Sequence, residues 1–121
     1  MPIKTVLIID DSPTERHILS QLLIGAGYET VTADSGEEGI ARAKQIKPDL
    51  VLMDVVMPGI NGFQATRALS KDDDTKDIPV IMCTTKDQET DRVWGMRQGA
   101  KDYVTKPVDG PALLAKIAAL G

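Results

Sequence analysis

Residues 50–62 read LVLMDVVMPGING, and this stretch decides the fold class. Four apolar residues, typical of a buried strand, lead directly into one acidic residue, Asp54, and the chain then turns at Pro58 and Gly59. An ionised carboxylate is costly to bury unless it is paired or binds a metal. The position of Asp54 at the end of an apolar run therefore indicates a site built around that carboxylate.

Four further short runs resemble this one, and helix-length stretches separate them. The predicted strands cover residues 4–9, 29–33, 49–54, 79–84 and 101–106. Near-continuous apolar runs are typical of strands that are covered on both faces, so they predict a parallel sheet.

The stretches between the strands carry helix start and stop signals. Ser12, with proline after it and Glu15 three positions on, has the pattern of a capping box at the start of the first helix. Apolar residues at helical spacing predict the inner faces of the first and last helices: Ile18, Leu19, Leu22 and Leu23, then Leu113, Leu114, Ile117 and Leu120. The other helices are predicted over residues 34–47, 61–71 and 87–98, and the last begins after Asp109.

The order βαβαβαβαβα predicts an α/β fold, a (βα)5 doubly wound parallel sheet with helices on both faces. Open sheets of this kind bind ligands beyond the carboxyl ends of their strands. Those ends carry three acids, a hydroxyl and an ammonium: Asp10, Asp11, Asp54, Thr84 and Lys106.

Carboxylates that converge on one crevice repel each other unless a cation lies among them. Their hard oxygens suit Mg²⁺ or Mn²⁺, with waters completing the coordination. A cation, a lysine and a hydroxyl around a carboxylate are complementary to a phosphoryl group, and the carboxylate can itself be the nucleophile. We therefore expect Asp54 to accept a phosphoryl group and form an aspartyl phosphate.

Composition excludes several other classes of function. A net charge of −4 argues against nucleic acid as the main partner, and a single cysteine, Cys83, excludes an internal disulfide or a multi-cysteine zinc site. The apolar stretch near the N-terminus is too short for a signal peptide or a membrane span, so a cytoplasmic protein is expected. The glycine-rich nucleotide-binding motifs G-x-x-x-x-G-K-[ST] and G-x-G-x-x-G do not occur in the sequence.

The residues at the strand ends, in this order and spacing, resemble the receiver domains of two-component response regulators, over essentially the whole chain. The resemblance implies the flavodoxin-like strand order 2-1-3-4-5. It also implies that Asp54 is phosphorylated and that Lys106 is the catalytic lysine. Mg²⁺ is implied to bind Asp11, Asp54 and the backbone carbonyl of Val56, with Asp10 acting mostly through a metal-bound water.

Two further roles follow from the same resemblance. Thr84 matches the hydroxyl that moves towards the phosphoryl group, and Tyr103 matches an aromatic residue that swings between exposed and buried orientations. The peptide bond between Lys106 and Pro107 is expected to be cis, as it usually is in this family.

The resemblance also implies the partners. A histidine kinase of the chemotaxis type donates the phosphoryl group, and a protein target contacts the surface of the fourth helix, fifth strand and fifth helix. The domain catalyses only its own phosphorylation and dephosphorylation, so it is not classed as an enzyme. The segments DDSPTE and GFQATR and the stretch from residue 84 to 109 are similar to stand-alone receivers of the pilus system that governs twitching motility. A single receiver domain over residues 1–121, monomeric and without an output domain, is expected.

Several alternatives stay open on the sequence alone. The protein could signal forward, drain phosphate from a sister receiver, or act as an interaction module that needs no phosphorylation. A phosphohydrolase would need a cap segment, and an FMN carrier would need a glycine- and serine-rich phosphate loop; neither is found. Trp94 is interpreted as an interface residue because Val93 and Met96 can serve the core, and Val56 and Lys86 are hypothesised to set the lifetime of the phosphoryl group.

Overall fold

Five strands and five helices alternate along residues 2–121, the part of the chain that the computed structural model describes. The elements are β1 (Thr5–Ile9), α1 (Pro13–Gly25), β2 (Glu29–Ala33), α2 (Gly36–Ile46), β3 (Leu50–Met53), α3 (Gly62–Lys71), β4 (Val80–Thr84), α4 (Glu89–Arg97), β5 (Asp102–Thr105) and α5 (Gly110–Leu120). The strands form one parallel sheet in the order β2-β1-β3-β4-β5. The predicted fold class and strand order are confirmed, and the predicted elements differ from these only at their ends.

Apolar side chains cover both faces of the sheet. Alternate residues of β1 point to opposite faces: Val6 and Ile8 pack with α1 and α5, whereas Leu7 and Ile9 pack on the face covered by α2 and α3. The central strand β3 is buried throughout. Burial of both faces explains why these strands are near-continuous apolar runs.

The register of the strands aligns the residues that follow them. Ile9 pairs with Met53, Met53 with Met82, and Met82 with Tyr103. The next residue along β1 is Asp10, and the next along β3 is Asp54. Two carboxylates are thereby placed side by side at one edge of the sheet.

Gly62, the first residue of α3, allows this helix to start directly against the backbone below it. A Cβ at this position would overlap the carbonyl oxygen of Asp54 and lie 2.8 Å from the Cα of Val55. The Gly62 N–H also donates to the Val55 carbonyl at 2.9 Å. The start of α3 is therefore packed against the same backbone segment that carries Asp54.

Four residues predicted to face the core are exposed instead: Ile18, Val93, Met96 and Leu120. In α1 the buried stripe is narrower than predicted and consists of Leu19 and Leu23. In α4 the only buried residue is Gly95, because this helix approaches the ring of Tyr103 through a residue without a side chain. Leu120 is the last residue of α5, where little remains for it to pack against.

The burial of three further side chains bears on their possible roles. Trp94 is 49% exposed, His17 is exposed, and Cys83 is buried as a free thiol. Burial raises the pKa of that thiol to about 12, which disfavours the reactive thiolate form. Among residues 2–121, no helix is both long enough and apolar enough to cross a lipid bilayer.

A pair of glycine substitutions tests the close packing of α3. Gly62→Ala is expected to lower the free energy of unfolding by roughly 1–3 kcal/mol, since backbone atoms of Asp54 and Val55 must shift to admit the methyl group. Gly25→Ala is the control, because nothing lies within 4 Å of its added Cβ and alanine favours the helix, so stability should rise by up to about 1 kcal/mol. Urea denaturation measures both, and equal effects of the two substitutions would contradict the packing.

Candidate functional site

Backbone hydrogen bonds between neighbouring strands fix the charged residues at the carboxyl edge of the sheet. The N–H of Asp54 donates to the carbonyl of Ile9 at 3.0 Å, so Asp54 continues the pairing of β3 with β1. The N–H of Lys106 donates to the carbonyl of Thr84 at 2.8 Å, just beyond the ends of β5 and β4. The peptide bond that follows Lys106 is cis, as expected from the sequence.

The ammonium group of Lys106 lies among three carboxylates. Its Nζ donates to Asp10 Oδ2 at 2.6 Å and to Asp54 Oδ2 at 3.4 Å, and it lies 4.0 Å from Glu15 Oε2. The side chains of Lys106, Asp10 and Asp54 are almost entirely buried. Because the bond to Asp10 is much shorter, Asp54 receives the smaller share of the positive charge.

Burial and the neighbouring charges shift the pKa of both Asp54 and Lys106. Burial, and then the charge of Asp10, raise the pKa of Asp54, although Lys106 and the Thr84 hydroxyl oppose the rise. Burial lowers the pKa of Lys106, but its hydrogen bond to Asp10 and the charges of Asp54 and Glu15 outweigh burial, and the pKa is raised. Lys106 is therefore a stable cation beside an incompletely neutralised Asp54.

Three of the acids are placed so that they could hold a divalent cation. Carboxylate oxygens of Asp10, Asp11 and Asp54 all lie within 4.8 Å of one another, and Asp11 is exposed while the other two are buried. Carboxylate oxygens are the ligands that Mg²⁺ prefers, and the solvent-facing side leaves room for the waters it retains. A bound cation would also offset the charge of Asp10, which together with burial raises the pKa of Asp54. Val56, the fourth expected ligand, lies two residues beyond Asp54 with its side chain exposed.

The start of α1 holds Asp10 in place. The predicted capping box of Ser12 and Glu15 forms there only in part. The Ser12 hydroxyl accepts from the Glu15 N–H at 3.3 Å, as in a capping box, but the Ser12 N–H donates to Asp10 Oδ1 at 2.9 Å. The reciprocal bond from Ser12 to Glu15 is thus replaced, and the Glu15 carboxylate lies beside Lys106 instead. Arg16 Nη1 donates to the Asp10 carbonyl at 2.8 Å. The sequence pattern identified neither Glu15 nor Arg16 as part of the site.

The two expected switch residues both contact Lys86 in the β4–α4 loop. Thr84 is fully buried, and its hydroxyl oxygen accepts from the Lys86 N–H at 3.3 Å. The Tyr103 hydroxyl donates to the Lys86 carbonyl at 2.7 Å, and the ring is buried. Tyr103 therefore lies outside the acidic site and is connected to Thr84 through the backbone of one residue.

The sequence model of one protein family, the response regulator receiver domain, matches residues 6–118. The chain belongs to this family. It is 60% identical over 115 residues to the protein PilH of Pseudomonas aeruginosa, covering 95% of each protein. It is 39% identical over 117 residues to the phosphate regulon transcriptional regulatory protein PhoB of the same species, covering 97% of this chain and 51% of that protein.

Solved structures of receivers agree with the fold of this receiver domain. The chemotaxis protein CheY4 of Vibrio cholerae superimposes with a TM-score of 0.91 at 32% identity, covering 98% of this chain and 99% of that one. Receiver domains accept phosphate from histidine kinases, bind protein targets and bind Mg²⁺ at an acidic pocket. The family that the strand-end residues predicted is confirmed.

The raised pKa of Asp54 predicts a pH-dependent cost to stability in this receiver domain. The folded protein holds the Asp54 proton more tightly than the unfolded chain, in which the carboxyl has its ordinary pKa of 3.8. The free energy of unfolding therefore falls as the pH rises through the raised pKa of the folded state. Asp54→Asn removes this cost. At pH 7 without divalent metal the variant should unfold at a higher urea concentration than the wild type, and the difference should shrink as the pH falls towards 3.8.

Addition of Mg²⁺ is the control for this prediction. The metal should stabilise the wild type, since binding to the folded state alone raises its stability, and should stabilise Asp54→Asn much less. An Asp54→Asn variant that is less stable than the wild type at pH 7 would contradict the charge balance described for the site.

Proposed function

We propose that this receiver domain accepts a phosphoryl group on Asp54 from a histidine kinase of the chemotaxis type and thereby changes the surface that a target protein binds. One observation carries the proposal. The Asp54 carboxylate is buried and incompletely neutralised, with the Lys106 ammonium at 3.4 Å and two further acids beside it. A nucleophile, a fixed cation and the ligands for a second cation therefore meet at one point.

The chain's own residues account for the transfer step. An oxygen of Asp54 attacks the phosphorus of the phosphohistidine, the P–O bond forms as the P–N bond breaks, and the leaving imidazole keeps the electron pair and is protonated. Lys106, which stays protonated, offsets the negative charge of the phosphoryl oxygens. Asp10, Asp11, Asp54 and the Val56 carbonyl would hold Mg²⁺, which supplies further positive charge to those oxygens when bound. Hydrolysis of the product restores Asp54, so the domain acts only on itself.

The output of this modification is proposed to be a protein contact at the surface formed by α4, β5 and α5. On α4, the exposed side chains of Val93, Trp94 and Met96 make an apolar face. A groove of about 440 Å³ runs along the same helix, and Arg97 is one of the residues that line it. Tryptophan and arginine are over-represented among residues that dominate binding energy, which supports docking of a protein on this face.

The relatives support a more specific setting for the proposed activity. Identity of 60% to the protein PilH over 95% of both chains favours a role in type IV pilus function and twitching motility. The family match over residues 6–118 supports a single receiver domain over residues 1–121, which we propose acts as a monomer.

Incubation with acetyl phosphate, followed by intact-protein mass measurement, tests phosphorylation directly. One phosphoryl adduct is expected, and it should require both Mg²⁺ and Asp54, so that Asp54→Asn gives none. Beryllofluoride binding separates a short-lived adduct from an inactive site. A wild type that neither forms the adduct nor binds beryllofluoride would contradict the proposal and favour a phosphorylation-independent interaction module.

The exposed side chain beside the acceptor offers a second test. Val56 is 54% exposed at the mouth of the site, where a water must approach the phosphoryl group, so Val56→Asn should change the hydrolysis rate of the phosphorylated protein several-fold. Val93→Asn is the matched control, because it makes the same change at an exposed position on α4. Phosphate release after removal of the donor measures the rate, and equal rates in Val56→Asn and the wild type would refute this role.

A further inference from the structure

We propose that Arg92 is a positioning residue that holds the ring of Tyr103 in its buried orientation and so links the outer face of α4 to the Asp54 site. The contact between Arg92 and the ring is a property of the unphosphorylated protein. The effect of that contact on phosphorylation rests on the function proposed above.

Two contacts join Arg92 on α4 to Tyr103 on β5. The Nη1 of Arg92 donates to the carbonyl of Tyr103 at 3.3 Å, and its Cζ lies 5.3 Å from the centre of the Tyr103 ring. A guanidinium at this distance from an aromatic ring is attracted to the ring electrons. One side chain therefore binds both the backbone and the ring of the same residue.

The other surroundings of the ring explain why this contact matters. The ring edge lies against Gly95, where an added Cβ would come within 3.3 Å of two ring carbons. Tyr103 is 2% exposed, whereas Arg92 is exposed to solvent. The exposed guanidinium therefore covers a face of the buried ring.

Hydrogen bonds continue from the ring to the acidic site. The Tyr103 hydroxyl donates to the Lys86 carbonyl at 2.7 Å, and the Lys86 N–H donates to the Thr84 hydroxyl oxygen at 3.3 Å. The Thr84 carbonyl in turn accepts from the Lys106 N–H at 2.8 Å, and the Lys106 Nζ donates to Asp54 Oδ2 at 3.4 Å. A series of contacts therefore runs from Arg92 through Tyr103, Lys86, Thr84 and Lys106 to Asp54.

Arg92 occupies a position from which this set of contacts can respond to a bound protein. It is exposed and adjacent in sequence to Val93, part of the apolar face of α4. Arg67 on α3 is also exposed and does not line the groove, and within residues 2–121 its side chain makes no hydrogen bond or ion pair. The two arginines thus provide a matched pair, one in contact with the ring and one not.

The orientation of the ring can be measured in the unphosphorylated protein. The chain has two tyrosines, so a Tyr28→Phe background labelled with 3-fluorotyrosine gives one ¹⁹F NMR signal, from position 103. The shift of that signal between H₂O and D₂O reports exposure of the ring to water. Arg92→Met, which keeps the length of the side chain and removes the charge and the donors, should raise this isotope shift several-fold.

Two further variants make the result decisive. Arg67→Met makes the same change on α3, outside both the ring contact and the proposed docking face, and should leave the signal unchanged. Arg92→Lys keeps the charge but lacks the planar fork of donors, so it should give a partial increase, and it decides the question by the same signal if Arg92→Met does not fold. An unchanged signal in the Arg92 variants, or an equal change in Arg67→Met, would overturn the proposal.

The link to Asp54 is tested separately with acetyl phosphate. Release of the ring frees the Lys86 backbone and with it the Thr84 hydroxyl, so the rate of adduct formation should fall several-fold in Arg92→Met and stay at the wild-type value in Arg67→Met. A changed ring signal with an unchanged rate would overturn the link. Absence of an adduct in the wild type would instead count against the proposed function and would leave the result on the ring standing.

Discussion

One buried ammonium group shared unequally among carboxylates is the interaction on which this site depends. Lys106 lies 2.6 Å from Asp10 and 3.4 Å from Asp54, so one ammonium faces two buried carboxylates and cannot offset the charge of both. A fully compensated ion pair would have little affinity for another charged group. The remaining charge of Asp54 instead makes the site attract a metal cation, and with it a phosphoryl group.

The sheet provides the precision that this arrangement requires. Each charged residue follows a strand of fixed register, and the close approach of α3 at Gly62 fixes the backbone of Asp54 from the other side. A small shift at the acceptor therefore meets packed backbone on most sides. The β4–α4 loop differs, since hydrogen bonds to Thr84 and Tyr103 hold the backbone of its Lys86, and such bonds can exchange without repacking the core.

The sequence predicted the parts of the protein that depend on local pattern, and the structure supplied those that depend on packing. Apolar runs that end in Asp10, Asp54 and Lys106 were enough to predict the sheet and to place these side chains together, because parallel strands end at one edge. Exposure of Val93 and Met96 was not predictable, since it follows from α4 packing through Gly95. The contact between Arg92 and Tyr103 leaves no trace in the spacing of residues, because it joins two elements whose separation only the fold defines.

The central claim is that Asp54 itself carries the phosphoryl group, and chemical trapping of the modified residue tests it most directly. Borohydride reduces an aspartyl phosphate to homoserine, so protein treated with phosphodonor and Mg²⁺ and then reduced should contain homoserine at position 54 when its peptides are sequenced by mass spectrometry. Homoserine at Asp10 or Asp11 instead, or a phosphoryl group that resists reduction because it is attached to a hydroxyl such as that of Thr84, would contradict the account.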